Sequence, residues 1–242
     1  MVQNRLSAAI LGFFIFIGLF FGLYFTGSLV AESAIKIKEY ERTVTVKGLS
    51  EKEYLADIVI WPLQFNLASN SLTDLYNSID NTSSNIKEYL ISNGIESNEI
   101  TLSSPSISDK SAQQYGGSEI AQFRYTAYQT VTVYTDKVEK VRELQSSIIN
   151  LGKKGIVLTG DSYDSQTEYI FSRLNEVKPV MIEEATIKAR EVALKFAEDS
   201  ESKLGKIKSA TQGQFSIDSR DKNNPHIKKV RVVSTVEYYL SD

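Results

Sequence analysis

The chain contains no cysteine and a single histidine, His226. The first absence excludes disulfides, thiol nucleophiles and thiolate-bound zinc or iron–sulfur centres. The second excludes histidine-cluster metal sites and leaves one residue for any nucleophile–histidine relay. Basic residues are not in excess: 27 Lys and Arg stand against 30 Asp and Glu, a net charge of −3. That balance gives no grip on a phosphate backbone, so no nucleic-acid partner is expected. Gly152-Lys153-Lys154-Gly155 lacks the earlier glycine and the following Ser or Thr of a phosphate loop. It reads instead as a helix C-cap with lysines at the negative end of the dipole. Neither G-x-S-x-G nor a dinucleotide fingerprint occurs. What is present is 42% apolar and 24% charged residues over 242 positions, the balance of a globular chain of one or two domains.

No Asp, Glu, Lys or Arg occurs from Leu6 to Ala31, a run of 26 residues. At roughly 1.5 Å per residue this exceeds the ~30 Å hydrocarbon core, which predicts a transmembrane signal anchor over residues 1–31. A cleaved signal peptide is the alternative; its apolar region is normally about 7–15 residues, and Leu29 makes a poor cleavage site before Ala31. Residues 32–42 read as a charged juxtamembrane linker, and residues 43–242 as the main domain. Charge leaves the orientation open. Arg5 lies before the span, while Lys36, Lys38 and Arg42 after it interleave with Glu32, Glu39 and Glu41. Gly18, Gly22 and Thr26 share one helix face and form a candidate membrane-helix contact, although glycine is common in such helices anyway.

Beyond the linker the pattern alternates between periods of two and 3.6 residues. Strands are expected at Thr43–Lys47 and from Leu55, where Val59, Trp61, Leu63, Phe65 and Leu67 make one apolar face. Pro62 inside that run predicts an edge or a bulge. A helix is expected from Ser71, with Asp74 as a capping partner and Asn93-Gly94 as its stop. Ile100–Ser108 reads as a strand and Lys110–Ala121 as a polar loop. Tyr125–Thr135 alternates again. A second helix follows, capped by Asp136 with Glu139 and carrying Val138, Val141, Leu144, Ile148 and Leu151; a short strand is expected at Ile156–Thr159. A third helix is predicted from about Glu176 to Leu204, ended by Gly205. Its stripe of Ala185, Ala189, Ala193 and Ala197 makes a shallow groove that permits close packing. Strands Ile207–Ile217 and Lys229–Leu240 close the chain. The expected class is α+β: a mixed, largely antiparallel sheet with three long helices from β-α-β units, preceded by one transmembrane helix.

Several segments together carry a likeness to a known family. They are Val44-Thr45-Val46-Lys47-Gly48, Gly94-Ile95 with Glu99-Ile100-Thr101, and Tyr125-Thr126-Ala127-Tyr128 before Val131-Thr132-Val133. The alanine-stepped helix closing on Leu204-Gly205-Lys206-Ile207 is the strongest of them. On these, residues 43–240 resemble the SIMPL-domain family of bacterial envelope proteins, the group that includes the YggE-like proteins. The resemblance implies an exported, periplasm-facing α+β domain, ring- or barrel-like homo-oligomers in some members, and no established catalytic residue to carry over. It also implies an N-terminus inside and a domain outside. The first-strand motif departs from the family pattern, ending Gly48-Leu49-Ser50 where a glycine pair is more usual.

The chemical candidates are weak beside their structural readings. His226 follows Asn223-Asn224-Pro225 and is expected in an exposed hairpin loop. Asp161 and Asp164 fit a turn better than a cation site, having no D-x-D-x-D-G spacing. Glu183 and Glu184 point about 100° apart on a helix and cannot serve one site together. No catalytic, cofactor-binding or metal-ligating residue is therefore assigned. Tyr125, Tyr128 and Tyr134 suit either sheet packing or an interface. The expected protein is a non-catalytic, membrane-anchored domain in the inner membrane facing the periplasm, self-associating and with an envelope scaffolding or stress-protective role. Its alternatives are a small-ligand or peptide-binding module with a groove beside the tyrosine strand, or a hydrolase using Asp161 or Glu168.

Overall fold

The computed structural model describes residues 2–40, 42–112, 122–159 and 165–241. Asp161 and Asp164, and most of the polar loop to Ala121, lie outside the described residues. The chain divides into two compact units. Unit 1 comprises Met1–Ser50, Pro179–Phe215 and Arg231–Asp242; unit 2 comprises Glu51–Lys178 and Ser216–Val230.

Unit 2 contains a five-stranded sheet in the order β3-β5-β2-β6, with β4 also paired to β5. These strands are β2 (Ile58–Ser69), β3 (Ile100–Leu102), β4 (Ser106–Asp109), β5 (Tyr125–Thr135) and β6 (Glu168–Ile170). All of these pairings are antiparallel. The period-two apolar face forms as expected: Val59, Trp61, Leu63 and Phe65 are buried on β2, with Val131 and Val133 beside them on β5. Helix α2 (Leu72–Ser92) covers that face with Leu75, Ile79, Ile86 and Leu90, and α3 (Val138–Ser146) with Val141 and Leu144. Ser71 Oγ accepts the Asp74 N–H at 3.3 Å, capping α2, and Gly94 ends it in the left-handed region (φ 94°).

Pro62 is accommodated by an edge, without a bulge. The β2–β5 register is unbroken through Pro62 opposite Thr132. Gln64 O accepts Thr159 N–H at 2.7 Å, so even-numbered residues of β2 turn their backbone groups away from β5. On that side β6 pairs only Ile58–Ile60, so the N–H that proline lacks falls beyond the end of β6.

In unit 1, α5 (Leu174–Asp199) lies from Pro179 onward against β1 (Thr43–Leu55) over Thr43–Ser50. Val46, Gly48 and Ser50 are buried in alternation. Val46 packs with Ala189 and Ala193 in a small core completed by Val236 and Tyr238 of β9 (Ile227–Ser241). β7 (Lys203–Gln212) pairs β9 antiparallel, with register shifts between Leu204 and Ile207 and between Ile207 and Ser209. The sheet order is β1-β9-β7, and β8 (Ser216–Ser219) also pairs β9. β7 is exposed at almost every position and carries Lys203, Lys206 and Lys208. N-terminal to all this, α1 (Val2–Tyr40) is one helix; its segment Ile15–Ile35 has mean hydropathy 1.7 and no buried residues, and is long and apolar enough to cross a membrane.

Six expectations change. The predicted second helix is broken into α3 and α4 (Ile149–Lys153), because Ser146 and Ser147 donate their hydroxyls to Glu143 O and Leu144 O, competing with the helix ladder. Its expected Asp136 side-chain cap does not form: the capping position is Lys137, whose N–H donates to Thr135 Oγ1. Ile100–Ser108 is two short strands separated at Ser103–Pro105. Ile156–Thr159 is reduced to a single bridge between Leu158 and Phe65. α5 stops five residues early, where Glu201 takes φ 55° and Ser202 N–H donates to Ala197 O. Gly205, expected to end that helix, lies in β7, where a Cβ would come within 3.0 Å of Tyr239 O.

Candidate functional site

The tyrosines of β5 separate by parity. Tyr125 falls on the inner face, packs partly against the core and lies under the Arg124 guanidinium at 4.8 Å. Tyr128 and Tyr134 fall on the outer face with exposures of 51% and 54%. Tyr128 stands opposite Asn66 and Ser106, and Tyr134 opposite Ile60. Beside Tyr128, residues of β2, β4 and β5 enclose a concavity of about 400 Å³.

Gly18 and Gly22 leave open helix surface, since a Cβ on either meets nothing within 4 Å. Thr26 Oγ1 is turned back along the helix, donating to Gly22 O at 2.6 Å. The alanine stripe is wholly engaged. Ala185, Ala189, Ala193 and Ala197 are all buried, and the Gly48 backbone lies directly on the Ala185–Ala189 turn. Ser50 Oγ donates to Glu184 Oε2 at 3.0 Å, so Glu184 holds α5 to β1 while Glu183 faces solvent.

The carboxylates with the most partners are structural. Asp57 accepts Ser172 N–H and Oγ–H, both at 2.8 Å, and Arg173 Nε–H at 3.1 Å, which ties the start of β2 to the turn after β6. Burial pushes its carboxyl up, but these donors outweigh that and hold it below the usual range. Glu168 is exposed on β6. Among the described residues no group of three or more His, Cys, Asp or Glu side chains is placed to hold a metal ion.

Glu99 is the most integrated of these groups. It accepts Thr135 Oγ1–H at 2.6 Å, Glu96 N–H at 2.7 Å and Lys137 Nζ–H at 3.1 Å. Burial raises its affinity for a proton, and the three donors together overcome that, leaving its pKa below the ordinary 4.5. The native state thus binds this proton more weakly than the unfolded chain. The stabilisation is present above about pH 4.5 and is lost as pH falls through the lowered folded value. Glu99→Gln is expected to cost about 1–3 kcal/mol at neutral pH and nearly nothing in acid. Urea unfolding of both proteins at pH 7 and in strong acid checks this; an equal gap at both would contradict it.

His226 is not the exposed loop residue its neighbours suggested. It is 5% exposed, with its ring edge-on to Tyr169 at 6.0 Å and its carbonyl accepting Ala56 N–H at 2.8 Å. The loop is folded inward by Asp221, whose Oδ1 accepts the N–H groups of Asn223 and Asn224, both at 2.8 Å. Together with its ion pair to Arg220, this holds the Asp221 carboxyl down at about 2. A cavity of about 1040 Å³ opens beside His226, between α3, β6 and this loop. Sequence reading missed it because the closing residues come from three segments far apart in the chain.

These features define an α+β protein with an apolar, membrane-length N-terminal helix. The profile of the SIMPL family, described as a protein of unknown function (DUF541), matches residues 44–237. The chain belongs to that family. No curated protein matches it.

Proposed function

We propose that the protein is held in the inner membrane by α1, that its SIMPL domain faces the periplasm without catalysing a reaction, and that the domain self-associates in an envelope scaffolding or stress-protective role. The observation that carries this reading is the segment Ile15–Ile35, none of whose apolar side chains is buried, standing ahead of a domain from a family of envelope proteins. The outer face of β5, with Tyr128 and Tyr134, supports self-association, since exposed aromatic residues are enriched at interfaces. Native mass spectrometry of the detergent-extracted full chain tests it. Oligomers that dissociate when Tyr128 and Tyr134 are both changed to Arg are expected; a strict monomer at high micromolar concentration overturns self-association.

A second reading, a module for a small ligand or peptide, is favoured by the concavity beside Tyr128. It predicts a retained mass that disappears in Tyr128→Ala while the oligomer persists.

A further inference from the structure

The cavity beside His226 has a composition that selects its occupant. α3 contributes Arg142 and Gln145, β6 and the residue before it contribute Tyr169 and Thr167, and the loop before β9 contributes Lys222 and His226. Gln145 is engaged at both polar atoms: its Nε2 donates to Thr167 Oγ1 at 2.8 Å and its Oε1 accepts Tyr169 O–H at 3.0 Å. That chain fixes the wall. His226 differs, because among the described residues neither of its ring nitrogens has a hydrogen-bond partner. Neither nitrogen is sealed from solvent, so they open onto the adjoining space, where water or a ligand atom can bond them.

Charge points to the nature of such a ligand. Among the described residues Arg142 and Lys222 line the cavity and no Asp or Glu does. Around it, Arg142 pairs with Glu139 at 2.9 Å and Arg220 with Asp221 at 3.0 Å, which leaves Lys222 without an ion-pair partner among the described residues. The rest of the wall includes Ser165, Gln166 and Asn223, which suit hydroxyl groups. The volume is at the upper end of ordinary small-molecule sites.

We propose that this cavity binds a small organic oxyanion, a carboxylate or phosphate carried on a hydroxylated body. Arg142 and Lys222 take the anionic head and the His226 ring hydrogen-bonds the body. Burial, with Arg142 nearby, holds the imidazole below its ordinary pKa, so at neutral pH it offers one donor and one acceptor. The site does not depend on self-association and shares no lining residue with the concavity at Tyr128.

Because His226 is the chain's only histidine, it is its own reporter. The full chain in detergent, isotope-labelled at histidine, is titrated at constant pH with gluconate, glucose 6-phosphate and glucose. Saturable shifts of the imidazole signals are expected with one or both anions, identifying the preferred head, and none with glucose. Lys222→Gln and Arg142→Gln, both surface-accessible changes, are each expected to weaken binding by ~10-fold or more. Signals unmoved by either anion, equal shifts with glucose, or affinities unchanged in both variants would overturn the assignment.

Discussion

Gly48→Ala is expected to destabilise the protein more than a Gly→Ala change at any other described glycine. A Cβ at Gly48 would fall onto the Ala185 carbonyl oxygen and lie 2.5 Å from Ala189 N. Both neighbours are backbone, so no side chain can rotate away; β1 and α5 must separate. Overpacking of this kind costs about 1–3 kcal/mol, and the backbone contact puts this position at or above the upper figure. Separation also loosens Val46 from Ala189 and Ala193, and threatens the Ser50–Glu184 hydrogen bond. Urea unfolding of the full chain should show a markedly lower midpoint for Gly48→Ala and a larger loss for Gly48→Val. A Gly48→Ala protein as stable as its parent would mean that α5 does not lie this close.

The second large effect concerns the membrane. Segment Ile15–Ile35 has 21 residues, about 32 Å of helix against a ~30 Å hydrocarbon core. Leu19 and Leu23 lie one turn apart, and Leu23 is 72% exposed. Arginine near the centre of a spanning helix costs about 2.5–3.5 kcal/mol per residue, so Leu19→Arg with Leu23→Arg adds roughly 5–7 kcal/mol. The parent is expected to stay in the membrane pellet after alkaline carbonate extraction and the double variant to be lost from it. N-terminal sequencing of the parent separates an anchor from a cleaved leader: a mature chain beginning just after Ala31 would refute the anchor.

Much of the architecture was legible because its signals are local. The β2 apolar alternation, the Ser71 cap, the Asn93-Gly94 stop and the alanine stripe each depend on residues within a few positions. The misread features depend on competition or distance. Serine hydroxyls at Ser146 and Ser147 compete with the helix ladder and split what the apolar spacing shows as one helix. Gly48 reads only as the end of a family-like strand motif until the backbone of α5 is seen lying against it. His226 looks exposed from Asn223-Asn224-Pro225, yet Asp221 and Ala56 turn that loop inward. The candidate cavity was not readable at all, since Arg142, Tyr169 and His226 converge only in three dimensions.

The bulged, lysine-bearing course of β7 has a consequence for growth. A flat open strand of ten residues would template the addition of another strand and, by repetition, a fibre. Two register shifts bend the β7 backbone, and Lys203, Lys206 and Lys208 place positive charge along it. The sheet therefore terminates itself at this border. Strand-by-strand extension of this sheet past β7 is thereby disfavoured, and the charge and the bulges together keep that border from acting as a template.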